Sequence, residues 1–197
     1  MTILSIIIAG CAAALVIAIL FLLSYVKSPN DKATIITGWR SPRILIGRSG
    51  ICIPFLERKD MLDLQLIQVD VETKSLVPTA DYINIKVDAV VNAQIGLTDS
   101  MIFTAASKLL NKDIGYIRGV IQNVLEGSIR EIVGKMNLTD MVKDREKFNM
   151  LVKENAETDL NALGLTIKTF NVQNFIDKDS VIENMGVDNI VRIKKDA

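Results

Sequence analysis

The sequence predicts an α+β domain behind an apolar amino-terminal segment, and three observations carry that expectation. Residues Ile3–Val26 hold no charged side chain. Between Lys32 and Ile95 short apolar runs and apolar/polar alternation follow the two-residue period of strands. After Leu97 the apolar residues recur at spacings of three and four, the period of helices, before a last strand-like stretch at Leu165–Asn174.

The amino-terminal segment comes first. As a helix its 24 residues would run about 36 Å, against a hydrocarbon core of about 30 Å. Fourteen of them are Ile, Leu, Val or Phe, each worth about 0.3–0.6 kcal/mol toward insertion. A single transmembrane helix over residues 1–26 is expected. A cleaved secretory signal would want a basic start and a shorter apolar run, and no Lys or Arg precedes this one. Ile8-Ala9-Gly10-Cys11 has the form of a bacterial lipid-attachment box at Cys11, yet the chain stays apolar through Val26. Ser24 and Lys27 have Ser-x-x-Lys spacing, but a lysine at a membrane helix end reads as an anchor that snorkels to the headgroups.

Beyond the segment, Lys27, Lys32, Arg40, Arg43 and Arg48 face only Asp31 as a counter-charge before Gly50. With no basic residue on the amino side, the positive-inside rule puts the chain from Lys27 onward in the cytoplasm. The same five cations can hold a domain against anionic lipid, at about 1 kcal/mol each near the surface. They equally fit ordinary charge on solvated strands.

The soluble part has its own sequence of elements. Lys32–Thr37, Arg43–Ile46 and Gly50–Phe55 read as strands separated by Gly38, Pro42 and Gly47. Met61–Val77 alternates, with Ile67, Val69 and Val71 opposite Gln68, Asp70 and Glu72. Pro78–Asp81 is a turn. The longest alternation follows, with Ile83, Ile85, Val87, Ala89, Val91, Ala93 and Ile95 on one face of a strand. One covered and one wet sheet face are expected. Asp99–Leu110 reads as a helix. Asp113 can cap the next, with a stripe of Ile114, Ile117, Ile121, Val124, Leu125, Ile129, Ile132 and Val133. Thr139 can cap a third, running to a stop at Gly164, and a short helix is expected at Asp179–Asn184.

Composition narrows the function. Lys plus Arg and Asp plus Glu number 23 each, so nucleic acid is not an expected partner. The absence of histidine removes His-based triads and His-liganded zinc. Cys11 and Cys52 stand far apart, and Cys52, between Ile51 and Ile53, is expected to be a buried strand thiol. Asp140 with Asp144, and Glu154 with Glu157, lie at helical spacing beside Lys and Arg and read as solvated faces. No catalytic constellation, cofactor motif or metal-ligand spacing is found, and no enzyme activity is expected.

The residues carry a family resemblance. Ser28-Pro29-Asn30 followed by Ile35-Ile36-Thr37-Gly38 resembles the start of a flotillin. The Gly50–Pro54 turn, a Met61–Thr73 strand and the Ala80-Asp81 turn before a long strand are similar to the SPFH or band-7 domain. That superfamily contains stomatins, prohibitins and flotillins. Leu125-Glu126-Gly127, Arg130, Asp144-Arg145, Phe148 and Asp159-Leu160 with Leu163-Gly164-Leu165 resemble the flotillin helical subdomain. Gly186, Ile190, Lys194, Lys195, Asp196 and Ala197 match the segment after which flotillins continue into a Glu- and Ala-rich stalk that drives assembly. The expected organisation is an anchor at 1–26, a β-rich subdomain at 27–97, an α/β subdomain at 98–178 and the start of a stalk at 179–197.

The resemblance implies a non-enzymatic membrane scaffold that forms large homo-oligomers and organises membrane microdomains. A regulatory subunit of a membrane protease or other integral complex is the alternative, and a Ser/Lys hydrolase the third. The expected partners are further copies of the chain, membrane lipids and integral membrane clients. Lys27, Lys32, Arg40, Arg43, Arg48 and Phe55 are the candidates for the membrane interface; Ile190, Lys194 and Lys195 are those for assembly. For most apolar residues of Ile51–Leu56 core packing outweighs contact with lipid, although Pro54 and Phe55 stand at the tip of the turn.

Overall fold

A computed structural model describes residues 25–39, 41–53 and 55–177, together with Gly10, Leu15, Ile19 and Ser24. Those four are helical, and Leu15 and Ile19 are exposed. Among the described residues no helix is long and apolar enough to cross a membrane; most of Ile3–Val26 lies outside them. So do the short helix expected at 179–184 and the stalk segment.

The chain divides into two compact units, Met1–Gln65 with Leu97–Asn111, and Leu66–Gly96 with Lys112–Ala197. In the first, β1 (Tyr25–Lys27) pairs antiparallel with β4 (Ser49–Ile51). The strands β2 (Lys32–Gly38), β3 (Arg43–Leu45) and β5 (Glu57–Asp63) form a second sheet in the order β3-β2-β5. Tyr25 and Val26 are therefore strand, not the end of the apolar helix, because β4 supplies partners for their main chain. Ser28 ties the two sheets. Its buried Oγ shares a hydrogen bond with Thr34 Oγ1 at 2.9 Å and donates to Leu45 O at 2.8 Å. Gly47 takes a left-handed φ of 59° beside Asn30, and a Cβ there would collide with Asn30 Oδ1. The Ser28-Pro29-Asn30 string is thus a structural clamp. The helix α1 (Asp99–Leu109) belongs to this unit and buries Ile102, Ala105 and Leu109.

The expected Met61–Thr73 strand is two strands in different units. Leu62 and Leu64 are buried, then Leu66 is exposed and Ile67, Val69 and Val71 are buried. The alternation slips by one residue, which turns every later side chain to the other face. Asp63 Oδ1 accepts from Gln65 N at 2.9 Å, and Leu64 N donates to Asp31 O at 2.9 Å, fixing the turn at the slip.

The second unit is built on β8 (Asn84–Ile95), which β6 (Ile67–Glu72) and β7 (Val77–Pro78) flank along one edge and β9 (Leu165–Asp177) along the other, all antiparallel. Ile85, Val87, Ala89, Val91, Ala93 and Ile95 are buried, as the alternation predicts. Asp113 caps α2 (Ile114–Lys135) by accepting from Gly115 N at 2.8 Å. Ile117, Ile121, Leu125, Ile129, Ile132 and Val133 are buried along it, while Ile114 in the first turn is exposed and Val124 half-buried. The expected third helix is two, α3 (Leu138–Lys143) and α4 (Arg145–Asn161). Asn137 stands at the first N-cap in place of Thr139; Asp144 interrupts the pair and caps α4 by accepting from Lys147 N at 3.0 Å. Gly164, at φ 78°, ends the helical stretch and opens β9.

Candidate membrane interface

The turn between β4 and β5 leaves apolar surface of the first unit uncovered. Leu56 N and Glu57 N both donate to Ile53 O, at 3.3 and 3.0 Å, and close the turn. Phe55 stands at its tip, 99% exposed, with a left-handed φ of 71°. Such a φ is rare for an aromatic residue and costs about 1–2 kcal/mol. Leu56 and Ile51 are exposed, as is Tyr25, which pairs with Ile51 across β1 and β4. Trp39 is 82% exposed and follows Gly38, whose register partner is Glu57. A Cβ at Gly38 would collide with the Leu56 carbonyl, so the missing side chain lets the two strand ends close beneath the tip.

These positions correct the expectation that most of Ile51–Leu56 packs in the core. Ile53 is half-buried; Ile51, Phe55 and Leu56 face out. Cys52 lies just beyond β4 and is half-buried, with its Sγ 3.7 Å from Glu57 O. It is not a buried strand thiol. Pro54 and Cys11 lie outside the described residues.

The direction of the strands relates the tip to the apolar segment. Passing from Ser49 to Ile51 along β4 is passing from Lys27 back to Tyr25 along β1. Cys52 N continues the ladder by donating to Ser24 O at 2.8 Å. The turn therefore projects from the same end of the unit at which the amino-terminal segment enters it.

The basic candidates are spread unevenly over this frame. Arg43 pairs with Ile36 near the tip end of β2 and reaches Ile51 O at 3.3 Å and Glu57 Oε1 at 2.8 Å. Lys27 is exposed two residues along β1 from Tyr25. Lys32 begins β2, six residues before Gly38, about 20 Å along an extended strand from the tip end. Exposed Arg48 lies beside that distant end, where its carbonyl accepts from Ser28 N at 3.1 Å. The structure places Arg43 at the foot of the Phe55 turn, sets Lys27 and Arg48 at neighbouring positions of the β1–β4 ladder, and sets Lys32 at the far end of β2. Arg40, Ile190, Lys194 and Lys195 lie outside the described residues.

Sequence reasoning missed Trp39 and Glu57. The signal for Trp39 was available: it is the chain's lone tryptophan, following a glycine at a strand end. Nothing local marks Glu57, whose side chain is 2% exposed. A second buried carboxylate, Glu126 on α2, accepts from Arg130 Nη2 at 2.9 Å and from Lys74 N at 3.3 Å. The Arg130 hydrogen bond, helped by Lys74, holds its carboxyl below the ordinary value of 4.5, against desolvation that pushes the other way. This cluster fastens the β6–β7 turn to α2 and stands in the second unit, away from the interface candidates in sequence and in role.

Comparisons with known proteins place the chain. Residues 26–197 match the SPFH domain / Band 7 family. The chain is 31% identical to the flotillin-like protein FloT of Bacillus subtilis (strain 168), in a match covering 100% of this chain and 42% of FloT. It is 26% identical to flotillin-1 of Drosophila melanogaster, covering 86% of this chain and 40% of that protein. With human flotillin-2 the identity is 27%, covering 61% of this chain and 28% of the relative. The chain thus spans less than half the length of these relatives. On the match to nearly all of its sequence beyond the apolar segment, the chain belongs to the SPFH domain / Band 7 family and, within it, to the flotillin family.

Proposed function

We propose that the chain is a non-enzymatic, membrane-anchored scaffold, held by its amino-terminal segment and rested against the bilayer by the Trp39–Phe55 tip. One observation carries the reading: the exposed apolar turn of Ile51–Leu56 projects from the end of the unit where the apolar segment arrives. Burying Phe55, Leu56 and Trp39 in lipid removes apolar surface from water, at about 1.5–3 kcal/mol for each fully buried large side chain. Exposed apolar side chains gathered at one turn are the kind of surface that interaction sites use.

Orientation follows from charge. Lys27, Arg43 and Arg48 follow the apolar segment and no basic residue precedes it, which favours a cytoplasmic domain. Lateral confinement in a membrane raises the effective concentration of weakly interacting copies, so assembly into a large homo-oligomer fits the same arrangement. In this proposal the segment around Ile190, Lys194 and Lys195 leads into the assembly element, and clustering of copies gathers lipids and integral membrane clients.

The test is the particle mass of the detergent-extracted chain beside that of a longer protein in which a flotillin-type stalk is joined after Ala197. A large uniform particle from the longer protein alone, without a second polypeptide, is expected. Stoichiometric co-purification of a different membrane protein, with no self-assembly, would replace this reading by that of a regulatory subunit.

A further inference from the structure

The tip is held by an ion pair whose carboxylate is buried and whose guanidinium is partly exposed, and its geometry exceeds what closing a turn requires. Glu57 is both the last residue of the turn and its brace. Its N–H donates to Ile53 O at 3.0 Å while its carboxylate Oε2 accepts from Ile53 N at 2.9 Å, a reciprocal pair. The other oxygen, Oε1, accepts from Arg43 Nη2 at 2.8 Å, and the same nitrogen lies 3.3 Å from Ile51 O. One guanidinium thus touches both ends of the turn. The Glu57 side chain is 2% exposed and that of Arg43 37%.

Two costs are accepted to keep this arrangement. Arg43 Nε is buried without a hydrogen-bond partner, a rarity among side-chain polar atoms. Phe55 sits in a left-handed conformation while its ring touches almost nothing in the chain. Strain of that kind persists only where surrounding contacts over-determine it, and it clusters at functional positions. Here the contacts that determine it are those of Glu57 and Arg43, and what they secure is outward presentation of an aromatic ring.

We infer that Glu57 and Arg43 are positioning residues that hold the Phe55 tip in its projecting form, so that contact of the tip with a lipid surface depends on them. The inference rests on the membrane reading above. Its occupant is the bilayer, because the β1–β4 ladder places the base of the turn beside Ser24 and Tyr25, the residues through which the chain joins the apolar segment.

The test uses the whole chain reconstituted into vesicles of phosphatidylcholine and phosphatidylglycerol with brominated acyl chains. A Trp39→Phe, Phe55→Trp background makes position 55 the sole tryptophan reporter. With the brace intact, acyl-chain bromine quenches that emission. Glu57→Leu on this background abolishes the quenching while vesicle flotation and the far-UV circular dichroism stay unchanged. Glu57→Gln, which keeps an oxygen for Ile53 N–H, restores part of it. If Glu57→Leu fails to fold, Arg43→Lys carries the test, since lysine keeps the charge without the fork spanning both ends of the turn, and quenching should fall. Undiminished quenching in either folded variant overturns the inference. An unquenched parent that still floats overturns the membrane reading itself, and a parent emission that depends instead on protein concentration assigns the tip to a second copy.

Discussion

The face of β8 and the tip at Phe55 use the same kind of residue to opposite ends. On the inner face of β8 the apolar side chains are covered, with Ile85, Val87, Ala89 and Val91 at 0% exposure, because strands on both edges fix the register of the alternation. At the tip, Phe55 at 99% and Trp39 at 82% stand in turns, where no ladder decides which way a side chain faces. Burial follows from apolar character only where register enforces it. In the proposed scaffold the apolar residues left out by the braced turn are the surface offered to lipid.

The sharpest way to break this comparison is to place a charge on each side of it. Ile121→Asp puts an unpaired carboxylate into the α2 core, where Ile121 is 0% exposed, and should cost about 4 kcal/mol or more. A thermal melt should show the loss of the cooperative transition. Phe55→Asp should leave the melt within the about 0.5 kcal/mol typical of surface changes, and weaken lipid contact only. A folded Ile121→Asp chain would show that this stripe faces outward.

Leu15→Arg probes the segment rather than the domain. By insertion scales it should cost about 2.5–3.5 kcal/mol at mid-span, read as a fall in the fraction recovered with membranes. Unchanged fractionation would remove the single-span anchor from the account.

Glu126→Gln tests whether the second unit is closed by charge as well as by apolar packing. Its partners are partly exposed, at 40% for Arg130 and 68% for Lys74, so a loss of about 1–2 kcal/mol is expected. The sign with pH is fixed by the depressed carboxyl. Its contribution is complete above the ordinary value of 4.5 and is lost as pH falls through the lower folded value. Acid titration of stability should therefore be shallower in Glu126→Gln than in the parent. Parallel profiles would show that the pair does not differ between folded and unfolded chains.

A small stabilising effect is expected at Gly127, exposed on α2, where an added Cβ meets nothing within 4 Å. Gly127→Ala should stabilise by about 0.5–1 kcal/mol. A stabilised chain that no longer assembles would mean that the bare helix face is used by a neighbouring copy.

Much of this architecture was legible in the chain. The β8 alternation from Ile85 to Ile95, the α2 stripe apart from Ile114 and Val124, its Asp113 cap and the stop at Gly164 are periodic or local signals, and they stand as expected. The slip between Leu64 and Ile67 was also readable, as a change from even to odd apolar positions, but a continuous run of strand formers masked it. Asp144 hid a helix break because a capping residue inside an apolar stripe looks like an exposed polar position. The two units are each discontinuous in sequence, which no linear division can show. Long-range charge pairing stayed invisible for a related reason. Glu126 meets Lys74 across 52 residues, and Glu57 meets Arg43 across 14, in partners chosen by strand order rather than spacing. At the β4–β5 turn, Phe55 and Arg43 stand out by type and position, whereas Lys32, which shares the charge, begins β2 at the end away from the turn.

The central claim is that the tip meets lipid, and the native Trp39 reports on it without any substitution. In vesicles carrying brominated acyl chains its emission should shift to the blue and be quenched relative to unbrominated lipid. Emission that stays water-like and unquenched, in chain that floats with the vesicles, would contradict the account.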